Sequence, residues 1–145
     1  MTYPEERFRI GKVLYVDEKI MKALSIVRPA GTQIANGLKR LEIRKWFPDV
    51  RSGEKILLIE NENFLMEEGQ QAVGEAVAII TLGDIREFKR EDVLAACASY
   101  YEEGWLAWQI KTVQKIENAF SIRAARKLYD VDDSVLTSAR LIKIW

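Results

Sequence analysis

Pro29 and Gly37 stand eight positions apart, and on both sides of them the apolar residues alternate with period two. This arrangement constrains the fold more than anything else in the chain. Proline suits the first turn of a helix and glycine its C-terminal cap. Only about two turns fit between them, too few to be stable alone in water. A helix through Gln33, Ile34 and Ala35 must therefore be held by packing, through Ile34 and Leu38. Upstream, Met21 to Val27 reads as a strand that ends at Arg28, because the residue before a proline is pushed into the extended region. Downstream, Leu41 and Ile43 point one way and Glu42, Arg44 and Trp46 the other.

The remainder of the chain is read in the same terms. Lys12 to Asp17 alternates weakly as a strand. Pro48-Asp49 and Ser52-Gly53 mark a turn. Lys55 to Glu60 is a strong strand, Asn61 to Gln70 an acidic loop, and Ala72 to Leu82 a long apolar strand with Gly74 as a bulge position. Glu91 to Glu103 is the strongest helix candidate, closed by Gly104. Leu106 to Ile116 returns to strand, with Trp108, Ile110 and Thr112 alternating against Gln109, Lys111 and Val113. Ile122 to Tyr129 reads as a short basic helix and Ala139 to Trp145 as a final strand. Six or seven strands without a helix between each pair favour an α+β fold built on a mainly antiparallel, barrel-like sheet over a doubly wound one. A length of 145 residues fits one domain. Residues 1–20 are set apart as an N-terminal extension, with Met1 to Arg9 as a loose leader.

Composition removes several chemistries. There is no histidine, so the commonest general base and metal ligand are missing. The one cysteine, Cys97, cannot form an internal disulfide or complete a zinc site, and its apolar surroundings read as a buried small residue. No metal and no cofactor are expected. No run approaches the ~18 apolar residues of a membrane span, and the polar N-terminus lacks the pattern of a secretory signal, so a cytoplasmic location is expected.

The net charge is zero, but the signs are segregated. Residues 39–51 carry five cations against Glu42 and Asp49, and residues 111–127 five cations against Glu117. Residues 60–68 hold four glutamates and no base. One basic face, and with it a nucleic-acid partner, is permitted but not required. The acidic stretch would repel phosphate and is expected away from any nucleic-acid path.

The densest ordered charge is Gly37-x-Lys39-x-x-Glu42-x-Arg44, where a helix hands over to a strand. Lys39 and Arg44 supply donors for phosphate or base oxygens, and arginine forks bidentately. Glu42 can accept from an exocyclic amine, hold Arg44, or act as a base. Trp46 offers a stacking surface. The alternative is an ion network on a solvated strand, with Trp46 as a core or rim residue. Trp105, Trp108, Tyr100 and Tyr101 allow a stacking platform or plain packing. Arg123, Arg126 and Lys127, at helical spacing, allow a phosphate track or a solvated face.

The run Ala23-Leu24-Ser25-Ile26…Arg28-Pro29…Ile34…Gly37-x-Lys39-x-x-Glu42-x-Arg44-x-Trp46 resembles the signature of the ASCH domain, named for homology to activating signal cointegrator-1. The resemblance covers about 40 residues, Lys22 to Ile59. It implies a PUA-like fold, a small β-barrel with flanking helices, in a single domain. It also implies a cleft facing RNA or a nucleotide-like ligand, with DNA as a further partner. Lys39, Glu42 and Arg44 are the motif positions, and Arg28 falls where members tend to carry a basic residue.

One branch of that family is similar to amidohydrolases that deacetylate N4-acetylcytidine with the motif lysine, a threonine and a glutamate. Glu42 stands in the threonine's place here, and Glu91 or Asp92 is nearest in order to the glutamate. Another branch is linked to RNA cleavage. The resemblance therefore leaves three expectations. One is a binding module using Arg28, Lys39, Glu42, Arg44 and Trp46. Another is a metal-independent hydrolase, a ribonuclease or nucleoside amidohydrolase, with Lys39 and Glu42 as acid–base pair. The third is an accessory protein-binding domain with the motif as a latch.

Overall fold

A computed structural model describes residues 19–67 and 69–145. The expected leader, the Lys12 to Asp17 strand and Glu68 of the acidic loop lie outside them. The elements in chain order are β1 (Ile20–Val27), α1 (Ala30–Ala35), β2 (Leu41–Arg44), β3 (Ile56–Asn61), β4 (Gln71–Glu87), β5 (Leu106–Ala125), β6 (Leu128–Asp132) and β7 (Leu141–Lys143). All seven strands join one sheet in the order β2-β5-β4-β3-β1-β6, with β7 added to β5. Only the β1–β3 pair is parallel; the other pairs are antiparallel.

The core lies on both sides of the central strands. Leu24, Ile26, Ile56 and Leu58 enter one apolar cluster, while Ala23, Leu57 and Ile59 enter another. Every residue of β3 is buried, which explains its apolar run from Ile56 to Ile59. The bracketed segment forms one short helix, with Pro29 at its N-cap after a cis Arg28–Pro29 bond. Gly37 takes φ +79°, which a side chain would resist. Ile34 is buried as expected, whereas Leu38 is two-thirds exposed and does not pack the helix.

Four expectations differ, each because contacts with distant parts of the chain override the local pattern. Glu91 to Glu103 is not an α-helix. A 3-10 turn at Arg90–Asp92 leads into irregular turns with Cys97 at φ +53°. The carbonyls that would propagate a helix are used elsewhere: Ala95 accepts from the backbone N–H of Arg40 and Leu41, and Ala96 from the Lys39 ammonium. Cys97 is consequently exposed rather than buried. Ile122 to Tyr129 is not a helix either. It is the end of β5, a turn at Arg126-Lys127 and the start of β6, because residues 121–125 pair with β4.

Gly74 is not a bulge; it pairs with Ile122. It is glycine because a Cβ there would lie 2.8 Å from both the Glu60 carbonyl oxygen and Ile59 Cγ2. Finally, β5 runs on to Ala125, and its alternation slips at Lys111, so Val113 is buried in place of Thr112. The slip exists because Thr81 faces Thr112 while Leu82 faces Ile110.

The sheet curls without closing into the expected barrel. Its terminal strands, β2 and β6, do not pair with each other among the described residues. β6 covers β1 only from Ile20 to Leu24, where Leu24 meets Leu128. The edge of β1 beyond Leu24 is therefore uncovered and faces β2.

Candidate functional site

The uncovered edge opens a cavity of about 870 Å³. One wall is the end of β1, from Ser25 to Arg28, and the opposite wall is Glu42 to Trp46. The β5–β6 turn supplies Arg126 and Lys127, the loop after β3 supplies Phe64, Leu65 and Met66, and Trp105 stands at the entry to β5. The volume suits a small ligand, for which sites of about 300–1,000 Å³ are usual.

Arg44 spans the gap that backbone pairing leaves. Its Nη2 donates to the Ser25 carbonyl at 2.9 Å, and its Nε donates to Glu42 Oε2 at 2.6 Å. Glu42 is 5% exposed and would be a costly isolated charge. Its other oxygen lies 3.5 Å from Lys39 Nζ. Lys39, 7% exposed, donates to the Ala96 carbonyl and does not line the cavity. The motif thus forms a relay in which Lys39 anchors Glu42, Glu42 orients Arg44, and Arg44 reaches across to β1.

Trp46 lies past the end of β2 but lines the same cavity. Its ring meets the Trp108 ring edge-on at 4.9 Å and 83°, and its carbonyl accepts from Trp108 Nε1 at 3.2 Å. Trp108 is fully buried, so it is packing rather than platform. Lys127 Nζ stands 5.6 Å from the Trp46 ring and Lys45 Nζ 4.9 Å from the Trp105 ring. These cation–π contacts hold two ammonium groups at the rim.

Arg28 reaches the cavity but is engaged by carboxylates. It donates to Glu62 at 2.9 Å and lies 3.6 Å from Glu60 and 3.5 Å from Glu75. These interactions, led by the hydrogen bond to Glu62, raise its pKa further above the usual arginine value. Glu60 is itself buried and accepts from the backbone N–H and hydroxyl of Thr32, fixing the start of α1.

Among the sequence candidates, Arg28, Glu42, Arg44 and Trp46 converge on the cavity, and Lys39 stands behind it. Arg126 and Lys127 border it from a turn rather than a helix; Arg123 lies apart, its guanidinium 5.2 Å from the Tyr129 ring. Asp92 is committed to Arg86 through two hydrogen bonds of 2.7 and 2.9 Å, and does not line the cavity. Tyr101 packs on Phe88, and Tyr100 is exposed away from the cavity.

The acidic loop is not remote: its apolar centre, Phe64-Leu65-Met66, forms one rim. Three consecutive apolar residues inside an acidic stretch were the available signal. Asn61 and Lys45 were not picked out by sequence reasoning. Of the lining cations, Arg28 is met by Glu60, Glu62 and Glu75 and Arg44 by Glu42, which leaves Lys45, Arg126 and Lys127 without a carboxylate partner among the described residues. Among the described residues no three His, Cys, Asp or Glu side chains gather as a metal site, and no helix is long and apolar enough to cross a membrane.

No curated protein matches the chain. The family model of the ASCH domain matches residues 24–120, about two thirds of the sequence, and spans the second half of β1, the motif and most of β5. On that match, the chain belongs to the ASCH domain family.

Proposed function

We propose that this ASCH domain binds single-stranded RNA, or a nucleotide-like ligand, in the cleft between β1 and β2. The observation that carries the reading is the set of cations left over at the cleft: exposed Lys45, Arg126 and Lys127, from two separate parts of the chain, border a cavity whose one lining carboxylate, Glu42, is already paired with Arg44 and Lys39. Arg126 and Lys127 are exposed on a turn and suit a phosphate backbone. Trp46 and Phe64 offer aromatic surface for an unstacked base. A PUA-like fold is in keeping with this use, although here Arg44 bridges the curled sheet across the gap.

Within this reading Arg28, Glu42, Arg44 and Trp46 form the wall that meets the ligand, and Lys39 is a positioning residue that holds Glu42. The acid–base reading of Lys39 and Glu42 draws no support from the geometry, because the lysine ammonium points at the Ala96 carbonyl.

The test is titration of a fluorescent 12-nucleotide single-stranded RNA of mixed sequence with the full chain and with Arg126→Gln/Lys127→Gln. Both replaced side chains are exposed, so folding should be unaffected. Binding by the parent chain with a loss of about tenfold or more in the variant supports the reading. Equal affinity of the two proteins, or none in either, overturns it.

A further inference from the structure

A second hollow lies beside the cleft. Its volume is about 310 Å³, with residues 69–71 at the start of β4 on one side and residues 125–128 on the other. That volume falls at the low end of the range usual for a ligand site, about 300–1,000 Å³. Among the described residues, the hollow shares Ala125, Arg126 and Lys127 with the cleft and nothing else. The two spaces are therefore neighbours, parted by the turn between β5 and β6.

Hydrogen bonds hold both walls of the hollow. Gln71 pairs with Ala125 across β4 and β5. Gln70 Oε1 accepts the backbone N–H of Met66 at 2.8 Å and of Glu67 at 3.1 Å, and the Gln70 N–H donates to the Glu67 carbonyl. Lys127 takes φ +59°, so a left-handed residue closes the turn that carries the two cations. Gln70, Gln71, Arg126 and Lys127 are all exposed. Among the described residues, no carboxylate lines the hollow.

This order of groups is what a strand of nucleotides needs. Successive nucleosides are joined by one phosphate. A free nucleotide fills one space and leaves the other empty. A dinucleotide puts a nucleoside in each and its linking phosphate over the turn, where Arg126 and Lys127 favour an anion. A duplex does not fit the layout. Its successive nucleotides stand about 3.4 Å apart along each strand, whereas a polypeptide segment between them occupies about 4.8 Å, the spacing of strands in a sheet. Unstacked nucleotides can straddle such a turn. The hollow has no aromatic lining, unlike the cleft with Trp46, Phe64 and Trp105. Its glutamine amides both donate and accept, which suits ribose hydroxyls and the edge of any base.

We propose that the hollow between residues 69–71 and 125–128 is a second nucleotide subsite, so that the cleft takes a single-stranded oligonucleotide in preference to a free nucleotide. This rests on the nucleic-acid reading above and chooses between its two ligands.

The experiment is calorimetric titration of the full chain with uridine 3′,5′-bisphosphate and the 5′-phosphorylated dinucleotide of uridine, and with the corresponding adenosine pair. Each dinucleotide has as many phosphates as its bisphosphate and no greater charge, so a gain belongs to the added nucleoside. At least one dinucleotide is expected to bind about tenfold tighter than its bisphosphate, the effect of one or two hydrogen bonds. Gln71→Ala removes one exposed amide of the hollow. It is expected to weaken that dinucleotide about threefold or more and to bind the bisphosphate as the parent chain does.

Equal affinity for bisphosphate and dinucleotide in both pairs overturns the proposal. So does a gain that Gln71→Ala leaves intact, or a Gln71→Ala protein that loses both ligands alike, which marks a general effect on the cleft. If the 12-nucleotide RNA still binds through Arg126 and Lys127 in those cases, only the second subsite falls. If neither RNA nor any nucleotide binds, the nucleic-acid reading falls with it.

Discussion

Replacing Lys39 by methionine separates a positioning lysine from one that touches the ligand. The Lys39 and Glu42 side chains are 8% and 7% exposed, and their charged atoms stand 3.5 Å apart. Methionine keeps most of the volume and removes the charge. Glu42 would then rely on Arg44 alone, and the Ala96 carbonyl would lose its ammonium donor.

Breaking a buried pair from one side costs about 3–5 kcal/mol. Because Arg44 still neutralises Glu42, the lower end applies, about 3 kcal/mol, a large share of the ~5–15 kcal/mol that stabilises a domain. With a urea slope of about 1.5 kcal/mol/M, the unfolding midpoint should fall by about 2 M. The double variant Lys39→Met/Glu42→Gln should cost less than the sum of its singles, by about 1–3 kcal/mol, as expected for residues in contact. RNA affinity, measured well below the new midpoint, should change less than about threefold, since Lys39 lies off the cavity. An unchanged urea midpoint together with lost RNA binding would refute this reasoning and return Lys39 to the ligand.

Three further outcomes follow from other parts of the molecule. Arg126→Gln/Lys127→Gln should reduce the slope of log K against log salt by about 1.4 for single-stranded RNA, as two phosphate contacts are lost; parallel salt titrations check it. The hydrogen bond from Arg86, with the N–H of Lys89, holds the Asp92 carboxyl below its ordinary value. Its stabilising contribution is complete above the unfolded carboxylate value of about 3.9 and is lost as pH falls through the lower folded value. Asp92→Asn should therefore lower the urea midpoint at pH 7, with the gap to the parent chain closing as pH falls below the ordinary carboxylate range; a gap that does not vary with pH would be contrary. Gly74→Ala should cost about 1–3 kcal/mol by thermal denaturation, because its Cβ would meet the Glu60 carbonyl and Ile59 at 2.8 Å; a neutral result would show that β3 can give way.

The parts of the fold that sequence reveals are those set by neighbours along the chain. β1, the short helix, β2 and β3 follow from alternation and from Pro29 and Gly37, and they appear within a residue or two of expectation. The helix read over Glu91 to Glu103 fails for a non-local reason. Its alanines favour helix locally, but the carbonyls of Ala95 and Ala96 are taken by Lys39, Arg40 and Leu41. No periodicity within the segment carries that information. The same holds at Arg126-Lys127, where pairing of residues 121–125 with β4 overrides a helical spacing of cations.

The cleft itself depends on where one strand stops. β6 leaves β1 at Leu24, and the next residue, Ser25, turns its carbonyl to Arg44 instead of to another backbone. A longer β6 would cover that edge and fill the opening, while a β2 without Arg44 would leave it unbridged. The motif therefore holds three unlike residues because it does three unlike jobs. Lys39 fastens the 95–96 turn under the strand, Glu42 carries the charge that aligns the arginine, and Arg44 props the two edges apart while keeping its guanidinium at the wall. Read as a list of charges, the motif does not distinguish a site from a latch. Read as a relay, it is both: the buried end is structural, and that structure sets the position of the exposed end.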